Sequence, residues 1–246
     1  MHWLFLLYTY RPLSFPYNIY NCGDHAVTVS FGNVIDINTN EKVMALFQQL
    51  NMLNIEGIKD IITAYTTLTL VYDLQKIKQQ TQQTACSFIS EKIETAIKNM
   101  SVLQTNNTAI EIPVCYDKDF GIDLERVAQH TQISIHEIIQ IHTSKTYDVY
   151  MLGFLPGFAY MGIVDERISA PRLITPRTNV AAGSVGIAGD QTGIYPLDSP
   201  GGWNILGRTP IQLFTAGKEQ PCLLQPGNTV KFIPITKAAF DQLKQA

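Results

Sequence analysis

Charge is scarce in this sequence: Asp, Glu, Lys and Arg make up 16% of its 246 residues and sum to −3. Such a balance excludes the basic footprint of a nucleic-acid binder, and no Lys/Arg run marks a membrane surface. Cysteine is sparse too. Cys22, Cys86, Cys115 and Cys222 are scattered, with neither a CxxC pair nor zinc-site spacing. Reduced thiols in a cytoplasmic protein are the expectation, with no bound metal. The apolar stretch at residues 3–8 is six residues long and no Lys or Arg precedes it. A signal peptide needs about 7–15 apolar residues and a membrane span about 20. Residues 1–16 are therefore read as an extension without an assigned role. Also missing are a GxxxxGK[ST] phosphate loop, a GxGxxG fingerprint, an HExxH helix and a GxSxG elbow around Ser184. What is present is 46% hydrophobic residues, enough for real cores.

The hydrophobic pattern divides the chain. Residues 17–31 alternate as a strand broken by a turn at Asn21-Cys22-Gly23-Asp24. Thr39 is placed to cap a helix whose Val43, Leu46, Phe47 and Leu50 recur at helical spacing. Residues 58–72, rich in β-branched and aromatic side chains, predict one or two strands, and 75–100 predict a single amphipathic helix. Together, 17–100 read as a small α+β domain. The polar stretch 101–108 reads as a linker.

A second domain follows over 109–246. It opens with a strand at 109–116, then helices at 121–129, capped by Asp123, and 134–142, capped by Ser134 with Glu137 completing a capping box. Gly and Pro then recur through Gly227 between short β segments, among them 184–188, 211–215 and 229–235. That pattern predicts a closed or nearly closed β-barrel.

Three glycine-rich stretches dominate this half: residues 153–162, 182–189 and 199–204. Their glycines either turn barrel corners or bring backbone amides close to an anion. Between the first two lie Pro171-Arg172 and Pro176-Arg177. Two guanidinium groups on an extended segment are either surface charges or a fork for carboxylate or phosphate. His142, ending a predicted helix, is either structural or a general acid/base whose pKa the helix C-terminus would raise. Trp203 either stacks on a ligand or packs a barrel end.

Several motifs in fixed order then carry a resemblance. Gly23-Asp24-x-Ala26 is followed by Ile112-Pro113-Val114-Cys115-Tyr116, Ile141-His142-Thr143 and Gly153-Phe154-x-Pro156-Gly157-Phe158. Pro171-Arg172, Pro176-Arg177, Ala182-Gly183-Ser184-Val185-Gly186, Gln191-Thr192-Gly193, Tyr195-Pro196 and Pro200-Gly201-Gly202-Trp203 complete the set. From about Tyr17 onward the chain resembles the family of the 5-oxoprolinase B subunit, the kinase inhibitor KipI and allophanate hydrolase subunit 1. The resemblance implies an α+β chain whose second domain is a cyclophilin-like β-barrel. It implies ATP-dependent opening of 5-oxo-L-proline to L-glutamate by a complex with a KipA-like C subunit and a hydrolase-type A subunit. ATP would come with magnesium as its counter-ion, and the chain alone would be inactive. Other family roles are inhibition of a sensor histidine kinase and half of a carboxyltransferase module. Carried over, the cleft would be lined by His142, Phe154, Pro156, Gly157, Phe158, Tyr160, Arg172, Arg177, Gly183, Ser184, Val185, Gly186, Gln191, Gly201, Gly202 and Trp203. In that picture His142 shuttles a proton, while the arginines and loop amides hold developing phosphoryl charge.

Overall fold

A computed structural model describes residues 15–100 and 108–245. The extension at 1–16 and the linker at 101–108 therefore fall almost wholly outside the described residues. The chain divides into two compact units, Met1–Leu103 and Gln104–Ala246.

In the first unit, β1 (Asn18–Asn21), β2 (Ala26–Ser30), β3 (Ile58–Thr63) and β4 (Thr67–Tyr72) form an antiparallel sheet in the order β1-β2-β4-β3. Strand β4 alternates strictly, burying Leu68, Leu70 and Tyr72 in the core shared with the helices. Helix α1 (Ile37–Leu53) contributes Val43, Leu46 and Leu50 to the same core. Its cap is Asp36 rather than Thr39. The Asp36 carboxylate accepts the Thr39 N–H at 2.9 Å and the Thr39 hydroxyl at 2.7 Å, so Thr39 lies in the first turn. The single helix expected over 75–100 is two, α2 (Leu74–Gln80) and α3 (Ala85–Asn99). Asp73 caps the first. Thr84 starts the second by accepting the Ser87 N–H at 3.2 Å, which breaks the run between them.

In the second unit, β5 (Ile110–Cys115) precedes α4 (Leu124–Thr131), α5 (Ile135–Ser144), β6 (Thr146–Leu152) and β7 (Ala159–Gly162). A 3-10 turn at Glu166–Ile168 leads to β8 (Arg177–Val180), β9 (Ser184–Ala188), β10 (Gln191–Ile194), β11 (Ser199–Gly201) and β12 (Asn204–Arg208). β13 (Thr229–Ile235) and α6 (Lys237–Gln245) end it. Seven strands close a barrel in the order β10-β7-β6-β13-β5-β12-β9, with β9 returning to β10. Every pairing is antiparallel except β5 with β13. Closure removes the open sheet edges. β8 and β11 form a separate two-stranded ribbon. The α+β class and the closed barrel are as the sequence predicts. Residues 211–215, expected as a barrel strand, are instead a loop with one bridge, Phe214 to Cys222. Their backbone partners are local: Leu223 N–H donates to Leu213 and Thr215 N–H to Pro221, which leaves nothing for a ladder. Among the described residues no helix is long and apolar enough to cross a membrane.

Candidate functional site

A cavity of about 290 Å³ opens beside the ribbon, lined by Phe154, Phe158, Tyr160, Arg172, Pro176, Tyr195, Pro200, Gly201, Gly202 and Trp203. Phe158 is its centre. Phe154 stands edge-on to it at 5.7 Å, Tyr195 at 5.2 Å and Trp203 at 5.4 Å, with Tyr160 tilted at 4.8 Å. Edge-to-face packing fixes each ring against the next. Burial pushes the Tyr160 and Tyr195 phenols above their ordinary value, so both stay neutral at physiological pH. Among the described residues the lining includes no carboxylate. Its one cation among them is Arg172, whose guanidinium lies 5.9 Å from the centre of the Trp203 ring.

Arg172 is exposed, but its backbone is tightly held. The Ala170 carbonyl accepts from the Gly189 N–H at 2.7 Å, and Leu173 N–H donates to Gly202 at 2.8 Å. The fully buried Asn204 amide donates to the Pro171 carbonyl at 3.0 Å and to Ile187 at 3.3 Å, while its oxygen accepts from Arg126. At the far end Arg177 Nη2 pairs with Asp123 at 2.6 Å. Asp123 occupies the N-cap position of α4 without capping it. Its second oxygen accepts the Ile205 N–H at 2.7 Å instead. The cap expected from sequence is thus a buried strut between α4, β8 and β12.

Close approach explains one glycine of the wall. A Cβ on Gly201 would lie 2.7 Å from both Cε1 and Cζ of Tyr195, whose ring is buried. Gly201→Ala should cost about 1–3 kcal/mol by overpacking and push the Tyr195 ring into the cavity. A thermal melt would show the loss, and Trp203 fluorescence would report the altered wall. A variant matching the parent in both would mean the ring is not confined.

Of the residues singled out in the sequence, the cavity gathers Phe154, Phe158, Tyr160, Arg172, Gly201, Gly202 and Trp203. Pro156, Gly157, Arg177 and Gln191 are not among its lining. Gly183, Ser184, Val185 and Gly186 are buried in or beside β9. Gly183, at φ +83°, is required there because a Cβ would strike the Thr209 carbonyl. The stretch does not offer free amides to an anion. Gly183 N–H donates to Tyr195, Ser184 N–H to Ala181 and Gly189 N–H to Ala170, and Gly186 lies in the barrel ladder.

His142 is likewise in the barrel interior and fully buried. Thr192 donates its hydroxyl proton to the Gly186 carbonyl at 3.1 Å, so its oxygen accepts from His142 Nε2–H, also at 3.1 Å. Nδ1 is then the acceptor for the Tyr116 hydroxyl at 2.9 Å, and Phe232 stacks on the ring at 4.7 Å. Burial pushes the imidazole down to about 3. The upward shift expected from the helix C-terminus is overruled by desolvation, and the ring is a neutral core group.

Sequence reasoning missed Tyr195, Pro176 and Pro200 as lining residues, and Asp123, Arg126 and Asn204 as the frame behind them. Pro176 and Pro200 adjoin residues that were singled out, and Tyr195 sits in the Tyr195-Pro196 motif. For Arg126 no signal in the sequence distinguishes it from a surface helix charge.

An α+β unit joined to a closed, mixed barrel with an aromatic cleft defines a class. The family model for the carboxyltransferase domain, subdomains C and D, matches residues 17–224. The chain is 40% identical over 233 residues to the 5-oxoprolinase B subunit of Bacillus subtilis, covering 93% of this chain and 97% of that protein. In the crystal structure of TTHA0988, 33% identical, a region covering 85% of this chain and 40% of that longer one superposes with a TM-score of 0.73. Kluyveromyces lactis urea amidolyase, 20% identical over 92% of this chain and 15% of its own, shares the fold with a TM-score of 0.72. The protein belongs to the 5-oxoprolinase B-subunit family within this class.

Proposed function

We propose that the chain is the B subunit of an ATP-dependent 5-oxoprolinase, acting with a KipA-like C subunit and a hydrolase-type A subunit to convert 5-oxo-L-proline to L-glutamate. The single observation that carries the reading is the neutral aromatic cavity with one guanidinium at its edge, in a chain that matches a protein of that name nearly end to end. Such a cavity suits a small ring bearing one carboxylate. The need for a partner fits the surface around it. Phe154 is 61% exposed and Ile174, on the pinned segment between Arg172 and Pro176, is fully exposed. A partner docking over this face would withdraw both side chains from water.

Co-expression with the two partner proteins tests the reading by ATP-dependent glutamate release. Glutamate from the full set, and none from a set lacking this chain, is expected. An assembled set that makes no glutamate would remove the assignment. The family model and the likeness to urea amidolyase favour a second reading, a carboxyltransferase half-module. It would show instead as carboxyl transfer from carboxybiotin by the same assembled set.

A further inference from the structure

The geometry points to a division of labour within this proposed function, on which the inference rests: the cavity around Phe158 holds the cyclic-amide carboxylate, and the nucleotide's polyphosphate is held outside it. A triphosphate needs several cations or a nest of free backbone N–H groups. Among the described residues this cavity supplies one guanidinium, and most amides of its 153–158 wall are already committed.

Among the described residues only Arg172 faces it as a cation. Arg177, the other arginine of the segment, has its Nη2 bound to the buried Asp123, and its charge is already neutralised there. In two of the three glycine-rich stretches most of the amides are already committed. In 153–158 the Gly153, Leu155 and Phe158 N–H groups all donate within the loop, at 3.2, 2.7 and 3.0 Å. In 182–189 the Gly183 and Gly189 N–H groups donate at 2.7 Å to Tyr195 and Ala170. Amides committed to the fold cannot turn to a phosphate without breaking it.

The same inventory matches a monocarboxylate ring. One guanidinium forks onto one carboxylate through two parallel hydrogen bonds. The aromatic wall of Phe154, Tyr160 and Trp203 packs against the methylenes of a small lactam ring. A lining without carboxylates leaves nothing to repel the anion. The volume, at the small end for ligand pockets, accepts a single small ring and crowds a nucleotide.

The two tryptophans are Trp3 and Trp203, so a Trp3→Phe chain reports on the cavity through Trp203 alone. Titration with 5-oxo-L-proline should change that fluorescence saturably, whereas its uncharged carboxamide and Mg-ATP should not. Arg172→Ala should weaken 5-oxo-L-proline at least about tenfold, with Arg172→Lys in between because it keeps the charge and loses the fork. In the assembled complex Arg172→Ala should raise KM for 5-oxo-L-proline and leave KM for ATP in place. The assignment is overturned if Mg-ATP gives the saturable signal, or if Arg172→Ala leaves 5-oxo-L-proline binding and its KM unchanged. It is equally overturned if 5-oxo-L-proline neither shifts the fluorescence nor depends on Arg172 in the complex. Ring binding that needs Arg172, in a complete set that makes no glutamate, would instead remove the oxoprolinase reading and leave the cavity assignment standing.

Discussion

Asp123→Ala is expected to be among the most damaging single substitutions in the barrel unit, costing about 3–5 kcal/mol. Two losses combine. The buried Ile205 N–H loses its side-chain acceptor, worth about 1–3 kcal/mol, and the Arg177 guanidinium, with Nη1 already buried and without a partner among the described residues, is left uncompensated. Arg177 retains 30% side-chain exposure, so water recovers part of its charge energy and the lower half of the range is the better expectation. Asp123→Asn keeps an acceptor for Ile205 and should cost roughly half as much. A comparison pair sets the scale: Lys237 and Asp119 are about half exposed, and Asp119→Ala should have only a marginal effect. Denaturant unfolding of the three variants would measure the order. Equal effects for Asp123→Ala and Asp119→Ala would mean that burial does not govern the first ion pair. Loosening of the 171–177 segment would appear in the same Asp123 variants as weaker ligand binding by Arg172.

His142 makes the second large effect, visible as pH dependence. Its folded-state value is about 3 against an ordinary 6.5. Between those values the unfolded chain takes up a proton that the folded chain refuses. Stability is therefore fully present above about pH 6.5 and is lost as pH falls toward 3, by on the order of 4 kcal/mol in total. The loss arises because an imidazolium against Phe232 and Tyr147 would have no water and no counter-charge. Denaturation midpoints measured from pH 7.5 to 4 should fall for the wild-type chain. They should fall less for His142→Gln, which keeps an amide donor for Thr192 and cannot take up the proton. Parallel profiles would show that acid sensitivity comes from other groups. The same argument separates stability from chemistry: a neutral, doubly hydrogen-bonded core histidine sets no acid limb in an activity profile near neutral pH.

The sequence by itself determined the fold class and most of the elements. The alternation of Leu68, Leu70 and Tyr72 and the helical spacing of Val43, Leu46 and Leu50 are local periodicities, and the buried faces they predict are those observed. Ser134 with Glu137 marked the start of α5 because a cap is settled within four residues. Where two local solutions compete, as for Thr39 beside Asp36, the carboxylate one turn earlier captured the same N–H and the helix began there.

The composition of the site was only half legible. Phe154, Phe158, Arg172 and Trp203 belong to motifs that read as a cleft, and they meet in one cavity. His142 and the 183–186 stretch carry the same kind of motif, yet they serve the barrel. Nothing local distinguishes a glycine that frees an amide for a ligand from one whose amide pairs with a strand far away in sequence, as Gly186 pairs across to β10 and β12. Asp123 sits 54 residues before its partner Arg177, and Arg126 sits 78 before Asn204, so the first looks like a helix cap and the second like an ordinary helix charge until the barrel closes. Local propensity and patterning thus placed most of the strands and helices, though not the break between α2 and α3 or the loop at 211–215. Closure of the barrel alone decided which polar groups are withdrawn from water and committed to one another, and therefore which few, Arg172 foremost, remain free to meet a ligand.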